Sequence, residues 1–438
     1  MNSGLPFLTL PDPEIETEGA LDPLGLSAIG DRLADEILPG LRARMARPRF
    51  LTAIAVSAAV CEGLEDKVAN DHVTPAYLIF EWLLVEGFVR AGNREDTVGT
   101  PGTLKVQAVK NSGESMCART YLRVPSIFGF HGVYKPLAWH LGIVDDDFRL
   151  ADNGYALLKA WQMDRGLDGF LTSSTSTGEG TKVRQLLRSA VEDGLREACT
   201  RRSTSWQGWT LLAQHLAPGL VGKGEAAFLY ELLNDIRGEP RREVFRLLER
   251  VPDGLPESRI VMQWLLPTAS EDLKRRLSAI AEFEKMCSLL ERAFDWARYL
   301  STKAGARAID GKDFSDSDVA RQISEQLPSA ISRAEDALDR AATPGVKQNV
   351  AALSGGFDKV STAAGLFEAV LARHTYVQKA KKPDGKRDWF ERAPDGSAFV
   401  RVPYRQSREP ESREWWNRPY RIETVRFFRS DLEAGAHG

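Results

Sequence analysis

Over most of this chain apolar residues recur every three to four positions, the spacing of helices that bury one face. Ile29, Leu33, Ile37 and Leu41 form such a stripe, with Ser27 as a candidate cap and Pro39-Gly40 as a bend or break. The longest strongly apolar run, Leu51 to Cys61, lies between Arg49 and Glu62 and belongs to an expected helix from Phe50 to Leu64. It is shorter than the roughly 20 residues needed to span a bilayer, so a buried helix is expected. Thr74-Pro75 joins a hydroxyl cap to a proline at the first helical position. The helix it starts carries Tyr77, Leu78, Phe80, Trp82, Leu83, Leu84 and Phe88 on most of its sides, and Gly92 is a natural stop. Leu104, Val106 and Ala108 alternate as in a strand, while Lys105, Lys110 and Arg119 equally suit a helix running to Tyr121.

Residues 171–182, LTSSTSTGEGTK, break the pattern and form the clearest boundary. Beyond them the helical period returns. Leu273, Leu277, Ile280, Met286, Leu290, Phe294 and Ala297 predict one long helix from about Ser270 to Thr302. A second, Ser317 to Ala342, and a third, Val346 to Ala380, are separated by Thr343-Pro344-Gly345, with Gly355-Gly356 as an interruption of the third. An antiparallel arrangement is the simplest way to pack them. After Ala380 the period changes. Two Pro-Asp-Gly turns, Pro383 to Gly385 and Pro394 to Gly396, flank or separate RDWFE and AFVRV, which predicts a hairpin. A final helix is expected from about Arg421 to Leu432.

The expected fold class is therefore mainly α and multidomain. Residues 1–23 read as an acidic flexible arm, 24–170 as a helical region, 183–380 as a domain of long antiparallel helices, and 381–438 as a small basic α+β module. Composition adds exclusions. With 43% hydrophobic and 27% charged residues in 438, the chain is globular rather than disordered. A net charge of -3 supplies no global attraction to nucleic acid or membrane, so any such binding needs a local patch. No basic leader is expected, since the first basic residue is Arg32. Cys61, Cys117, Cys199 and Cys287 are widely spaced and are expected to be buried and reduced, as in a cytoplasmic protein.

Candidate chemistry is sparse. From Pro125 to Trp161 a short helical run ends in Leu141-Gly142-Ile143-Val144. Three aspartates follow, Asp145 to Asp147, then an extended piece, Phe148-Arg149-Leu150, and a second helix begins after Asp152-Asn153-Gly154. This order resembles the later part of a winged-helix domain over about residues 125–163. The resemblance implies that Lys135 and His140 lie on or near a recognition helix, that Arg149 reaches a phosphate from the wing, and that Ser126 adds a hydroxyl contact. Pro136 is expected in the first turn of that helix. The aspartates oppose phosphate, and as neighbours in an extended piece they do not converge on a metal.

A second basic region lies at the C-terminal end, where residues 376–430 hold 14 Lys or Arg against eight Asp or Glu. Lys379, Lys381, Lys382, Lys386 and Arg387 cluster there, with Trp389, Phe390, Tyr404, Trp415, Trp416 and Tyr420 among Arg401, Arg405, Arg418 and Arg421. Cations neutralise phosphate and aromatics stack on bases; the plainer alternative makes the aromatics a small core. Arg42, Arg44, Arg47 and Arg49 read either as phosphate contacts or as a solvated face or salt bridges with the preceding acidic segment. Glu282, Glu284 and Lys285 imitate a nuclease trio but lie inside a helix, where a solvated face is expected. The six histidines have no zinc spacing. Residues 176–183, STGEGTKV, lack the full phosphate-loop pattern and read as linker.

No catalytic motif, metal site or cofactor is called for. The expected function is that of a non-catalytic DNA-binding or DNA-sensing subunit, with DNA and other protein subunits as partners and no membrane. In general character it resembles accessory subunits of bacterial anti-phage defence systems. A helical scaffold that docks proteins, and a metal-dependent nuclease with a dispersed site, are the rivals.

Overall fold

The computed structural model describes residues 22–92, 97–172, 177–234, 240–303, 308–358, 360–381, 385–410 and 415–437. The acidic arm up to residue 21, Lys382, most of the first Pro-Asp-Gly turn and part of the 171–182 segment lie outside these residues. The described chain is mainly helical, with one two-stranded sheet near its C-terminal end. None of its helices is long and apolar enough to cross a membrane.

Two compact units form, and they do not follow the order of the chain. One comprises the described parts of Met1–Glu36 and Ser270–Arg418; the other comprises those of Ile37–Ala269 and Pro419–Gly438. The polar segment at 171–182 is internal to the second unit, and the basic module at 381–438 is divided at Arg418. The last four residues of that segment, Glu179 to Lys182, open a helix in which Gly180 and Thr181 are buried, so its polar composition does not mark where contacts stop.

The first helix, α1 (Ser27–Ile37), ends before Pro39-Gly40. The second unit then begins with α2 (Phe50–Val60), every residue of which is buried. Around it stand α3 (Ala76–Ala91), α4 (Thr103–Ser112), α5 (Pro125–Phe128), α6 (Phe130–His140), α7 (Asp152–Asp164) and α8 (Glu179–Glu197). α2 packs against α3, α6, α7 and α8, which explains why it is apolar on all sides. The ambiguous stretch around Val106 is the helix α4, since Val106 and Val109 bury one face while Leu104 is exposed. Next come α9 (Gln207–Leu216), α10 (Lys223–Asn234), α11 (Pro240–Leu248) and α12 (Glu257–Arg259), the last running into a wider turn at Ile260–Leu265.

In the first unit α13 (Glu271–Lys303) is the predicted long helix. The short α14 (Gly311–Ser315) precedes α15 (Asp318–Ala341), and Thr343-Pro344 starts α16 (Pro344–Ser354), which stops at Gly355. The last helix of this unit is α17 (Ala363–Ala380). Arg276 on α13 lies near Ala341, and Glu282 pairs with Arg333 at 3.1 Å, so α13 and α15 run antiparallel. The hairpin forms as β1 (Phe390–Arg392) and β2 (Ala398–Val400), with Phe390 opposite Val400. The chain ends in α18 (Ile422–His437), which returns to the second unit against α10 and α11.

Several charged residues are buried where a solvated face was expected. Glu284 is fully buried and accepts bonds from the Asn417 N–H at 2.8 Å and from Arg418 at 3.0 Å, because α13 is covered on more than one side. Arg49 is buried against Glu225 at 3.1 Å and also donates to the carbonyls of His215 and Ala217. Arg47 pairs with Asp431, and Arg44 lies over the Phe128 ring at 4.5 Å. Arg44, Arg47 and Arg49 are thus dispersed into separate contacts with partners far along the chain. Of the cysteines, Cys61 and Cys287 are buried, but Cys117 and Cys199 are only half-buried.

Candidate functional site

The second unit contains a cleft of about 400 Å³ lined by Tyr77, Ser126, His131, Gly132, Lys135, Pro136, Trp139 and Asp146. Its floor is set by the start of α6. Gly129 precedes this helix in extended conformation, and a Cβ there would collide with the Glu81 carboxylate. With glycine in place, Glu81 reaches the first turn of α6, where unpaired N–H groups favour an anion. It accepts from the His131 N–H at 3.1 Å and faces the His131 Nδ1 at 2.9 Å. Its other oxygen accepts from the Tyr121 hydroxyl at 2.6 Å. The His131 Nε2 lies 3.1 Å from the Ser57 Oγ.

These partners assign the protons. Burial pushes the His131 imidazolium down, opposed by the hydrogen bond and charge of Glu81 and reinforced by Lys135. The neutral ring then donates from Nδ1 to Glu81 and accepts the Ser57 hydroxyl proton at Nε2. Burial, with Glu81 beside it, pushes the Tyr121 phenol well up, so it remains a donor. The ring of His131 is packed among Phe130, Tyr77 and Phe148 at 4.0, 5.0 and 5.2 Å.

Serine, histidine and carboxylate are linked here as in a nucleophilic triad, but the serine is out of reach. Ser57 is 0% exposed in the middle of α2 and does not line the cleft. The backbone N–H groups around it belong to a continuous helix, which leaves no donors for an oxyanion. The network therefore positions His131 and the start of α6, and is not a nucleophilic site.

The resemblance residues are only partly brought together. Lys135 lines the cleft, its Nζ 5.3 Å from the centre of the Phe148 ring. Trp139, one turn further along α6, is 52% exposed. Ser126 faces them from α5. Pro136 sits inside α6 and not in its first turn, because the helix begins at Phe130. A Cβ at Gly132 would collide with the backbone of Ser126, so α5 covers the first turn of α6. His140 is half-buried at the end of that helix, beside Gly40.

The expected wing is one antiparallel bridge, Val144 to Leu150. Phe148 within it is not extended but left-handed, at φ 65°, with its ring buried. The Asp145 carboxylate accepts from the Arg149 N–H at 2.8 Å, and Asp147 pairs with the Arg149 side chain at 2.9 Å. Arg149 lines a different, smaller cleft of about 250 Å³ with Glu62, Glu65, Asp145, Tyr155 and Arg184.

Comparison with protein-family models, with curated proteins and with solved structures gives no match to this chain.

The C-terminal candidates belong to the first unit. Lys379 and Lys386 are exposed, and Arg387 is half-buried. Lys381 donates to the Asp22 carbonyl at 3.0 Å. These cations gather at the C-terminal end of α17, where the helix dipole favours positive charge. Trp389 is buried and stacks on Tyr404 at 4.5 Å, with Arg298 over it at 5.2 Å. It packs in the core and is not open to a base. Arg401 pairs with Glu391 at 3.1 Å, while Arg405 is exposed. His374 joins this core, with Nδ1 2.9 Å from the Pro23 carbonyl and Nε2 accepting the Trp389 N–H at 2.9 Å; burial lowers it to about 4.

Among the described residues no group of three or more His, Cys, Asp or Glu is arranged to hold a metal ion. Sequence reasoning passed over Glu81, Ser57 and Tyr121. A signal was available for Glu81: a carboxylate in a helix apolar on most sides must be buried, and a buried charge requires partners.

Proposed function

We propose that this chain is a non-catalytic DNA-binding protein that holds an unpaired nucleotide in the cleft between α5 and α6. The observation that carries this is the placement of Lys135 and Trp139 one turn apart on α6, both at the same cleft. A cation at this spacing from an exposed indole suits a phosphate and its stacked base. Ser126 adds a hydroxyl for the phosphate. The cover of α5 over the first turn of α6 favours single strands, since a recognition helix reads the major groove with its N-terminal residues. In this proposal α6, the bridged turn and α7 form a winged-helix-like element with a minimal wing. Exposed Val124 and Ile127 on and before α5 favour the second reading, a helical scaffold that docks a protein there.

The test is fluorescence anisotropy with labelled single-stranded and duplex DNA at two salt concentrations. Single strands are expected to bind more tightly, with affinity falling as salt rises. Trp139→Ala should cost about 1–3 kcal/mol of binding, the usual worth of one stacked base. Lys135→Gln should reduce the log–log salt slope by about 0.7, one single-strand phosphate contact. Glutamine at Lys379, Lys381, Lys386 and Arg387 together should leave binding unchanged. Absence of binding at low salt would refute the proposal and favour the docking scaffold.

A further inference from the structure

We infer that Cys117 and Cys199 form a reversible disulfide, a modification site at which Cys117 is oxidised by a hydroperoxide and Cys199 resolves the product. The two cysteines are 82 positions apart in sequence. The Thr200 N–H nevertheless donates to the Met116 carbonyl at 2.9 Å, which joins the segment after α4 to the segment after α8. The bond places Cys117 and Cys199, the chain neighbours of its two ends, on adjoining stretches of backbone. A disulfide between them requires Cα atoms about 4.4–6.8 Å apart, a span that adjoining stretches can meet. A negative charge on Cys117 is felt at Cys199, where it adds to what holds that thiol up. Both are half-buried and open to a small oxidant, whereas Cys61 and Cys287 are enclosed.

The surroundings divide the roles. Burial pushes the Cys117 thiol up, but the Thr120 hydroxyl, the N–H groups of Thr120 and Arg119, and the Arg119 side chain outweigh it and leave it below the usual range. The Cys117 Sγ lies 3.4 Å from the Thr120 Oγ1. Burial and Glu197 push Cys199 up, and its thiol faces the Glu197 carboxylate at 3.9 Å. Cys61, by contrast, is raised to about 12 by burial, and Cys287 well above its ordinary value. Nucleophilic attack requires the thiolate, so Cys117 reacts first.

The steps balance. The Cys117 thiolate attacks the outer peroxide oxygen; an S–O bond forms, the O–O bond breaks, and the leaving oxygen takes a proton. The Cys199 thiol then loses its proton towards Glu197 and attacks the Cys117 sulfur. The S–S bond forms, the S–O bond breaks, and hydroxide leaves as water. Two thiols are oxidised by two electrons and the hydroperoxide is reduced to an alcohol, or to water if the oxidant is hydrogen peroxide. The link would brace the segment that carries Tyr121, and through it Glu81 and His131.

The experiment treats the full chain with a small excess of hydrogen peroxide, blocks remaining thiols with N-ethylmaleimide and maps peptides by mass spectrometry without reductant. The expected result is a Cys117–Cys199 cross-linked peptide two hydrogens lighter than its parts, released by dithiothreitol. With the alkylation done in denaturant, so that the enclosed Cys61 and Cys287 also react, alkylatable thiols should fall from four to two. Cys199→Ser should accumulate a sulfenic acid at Cys117 that dimedone traps, and Cys117→Ser should slow peroxide consumption at least tenfold. Circular dichroism checks that both variants fold, and the wild-type map decides the question without them. Cys117 and Cys199 both remaining alkylatable, Cys117 proceeding to sulfinic acid with Cys199 free, or a link to another cysteine would overturn the inference.

Discussion

Replacing Glu81 with alanine strands three buried donors at once: the Tyr121 hydroxyl at 2.6 Å, the His131 N–H at 3.1 Å and the His131 Nδ1–H at 2.9 Å. Each orphaned donor costs about 1–3 kcal/mol. Water entering from the adjoining cleft recovers part of this, and loss of the buried charge removes its desolvation penalty, so about 3–5 kcal/mol is expected in total. Glutamine behaves differently. Its oxygen can face the two His131 donors while its amide nitrogen donates to the Tyr121 oxygen, which leaves the Tyr121 O–H proton as the one donor without its acceptor. That single orphan and the lost charge assistance cost about 1–2 kcal/mol once water recovers part of it. The assay is urea unfolding followed by circular dichroism, with the slope compared among the three proteins. At about 1–3 kcal/mol per molar urea, alanine should lower the midpoint of the second unit by about 1–5 M and glutamine by under half as much. An alanine variant within about 1 kcal/mol of wild type, or no more affected than glutamine, would refute the claim that this network holds the cleft.

Lowering pH should weaken the first unit through His374, which the fold holds at about 4. From about 6.5 downwards the unfolded chain takes up a proton that the folded chain refuses, so stability falls until the folded value is reached, by about 3 kcal/mol in all. His374→Gln, able to donate to the Pro23 carbonyl and accept from the Trp389 N–H, should flatten that part of a thermal-melt pH series; an unchanged profile would refute the assignment. Arg49→Met should cost about 3–5 kcal/mol by leaving Glu225 buried without its partner, while Arg49→Met with Glu225→Leu should restore most of it. Additive losses in that double-mutant cycle would show that the pair is not coupled. Gly132→Ala should displace α5, cost about 1–3 kcal/mol in urea unfolding, and weaken single-strand binding while helix content is kept.

Much of the helical content was legible because it is local. Thr343-Pro344 starts α16 and the heptad-like apolar spacing after Ser270 marks α13, each through a few neighbouring residues, whereas α3 begins one residue later than expected, with Pro75 as its cap and the Thr74 hydroxyl turned to Asp71. The hairpin was legible for the same reason, since Pro394-Asp395-Gly396 closes its own turn between alternating strands. The site was legible only in part. Lys135 and Ser126 reach the cleft, but they were singled out on a resemblance that did not include Trp139, Tyr77 or Glu81. Arg149 and His140 lie away from it, and Trp389 turned from a candidate base-stacking residue into core.

The sequence by itself determined that the chain is mainly helical, where the long helices after Ser270 begin, and that α2 must be enclosed. Backbone hydrogen bonds, caps and apolar period act over one or two turns. The tertiary structure alone decided which charges are buried and with whom. Arg49 meets Glu225 and Glu284 meets Arg418 across separations of 176 and 134 residues, distances over which local period carries no information. It also decided the grouping of the chain into units, because α18 returns to α10 and α11 from the far end of the sequence. And it placed Glu81 over the first turn of α6, where a glycine two residues before His131 leaves room for the carboxylate.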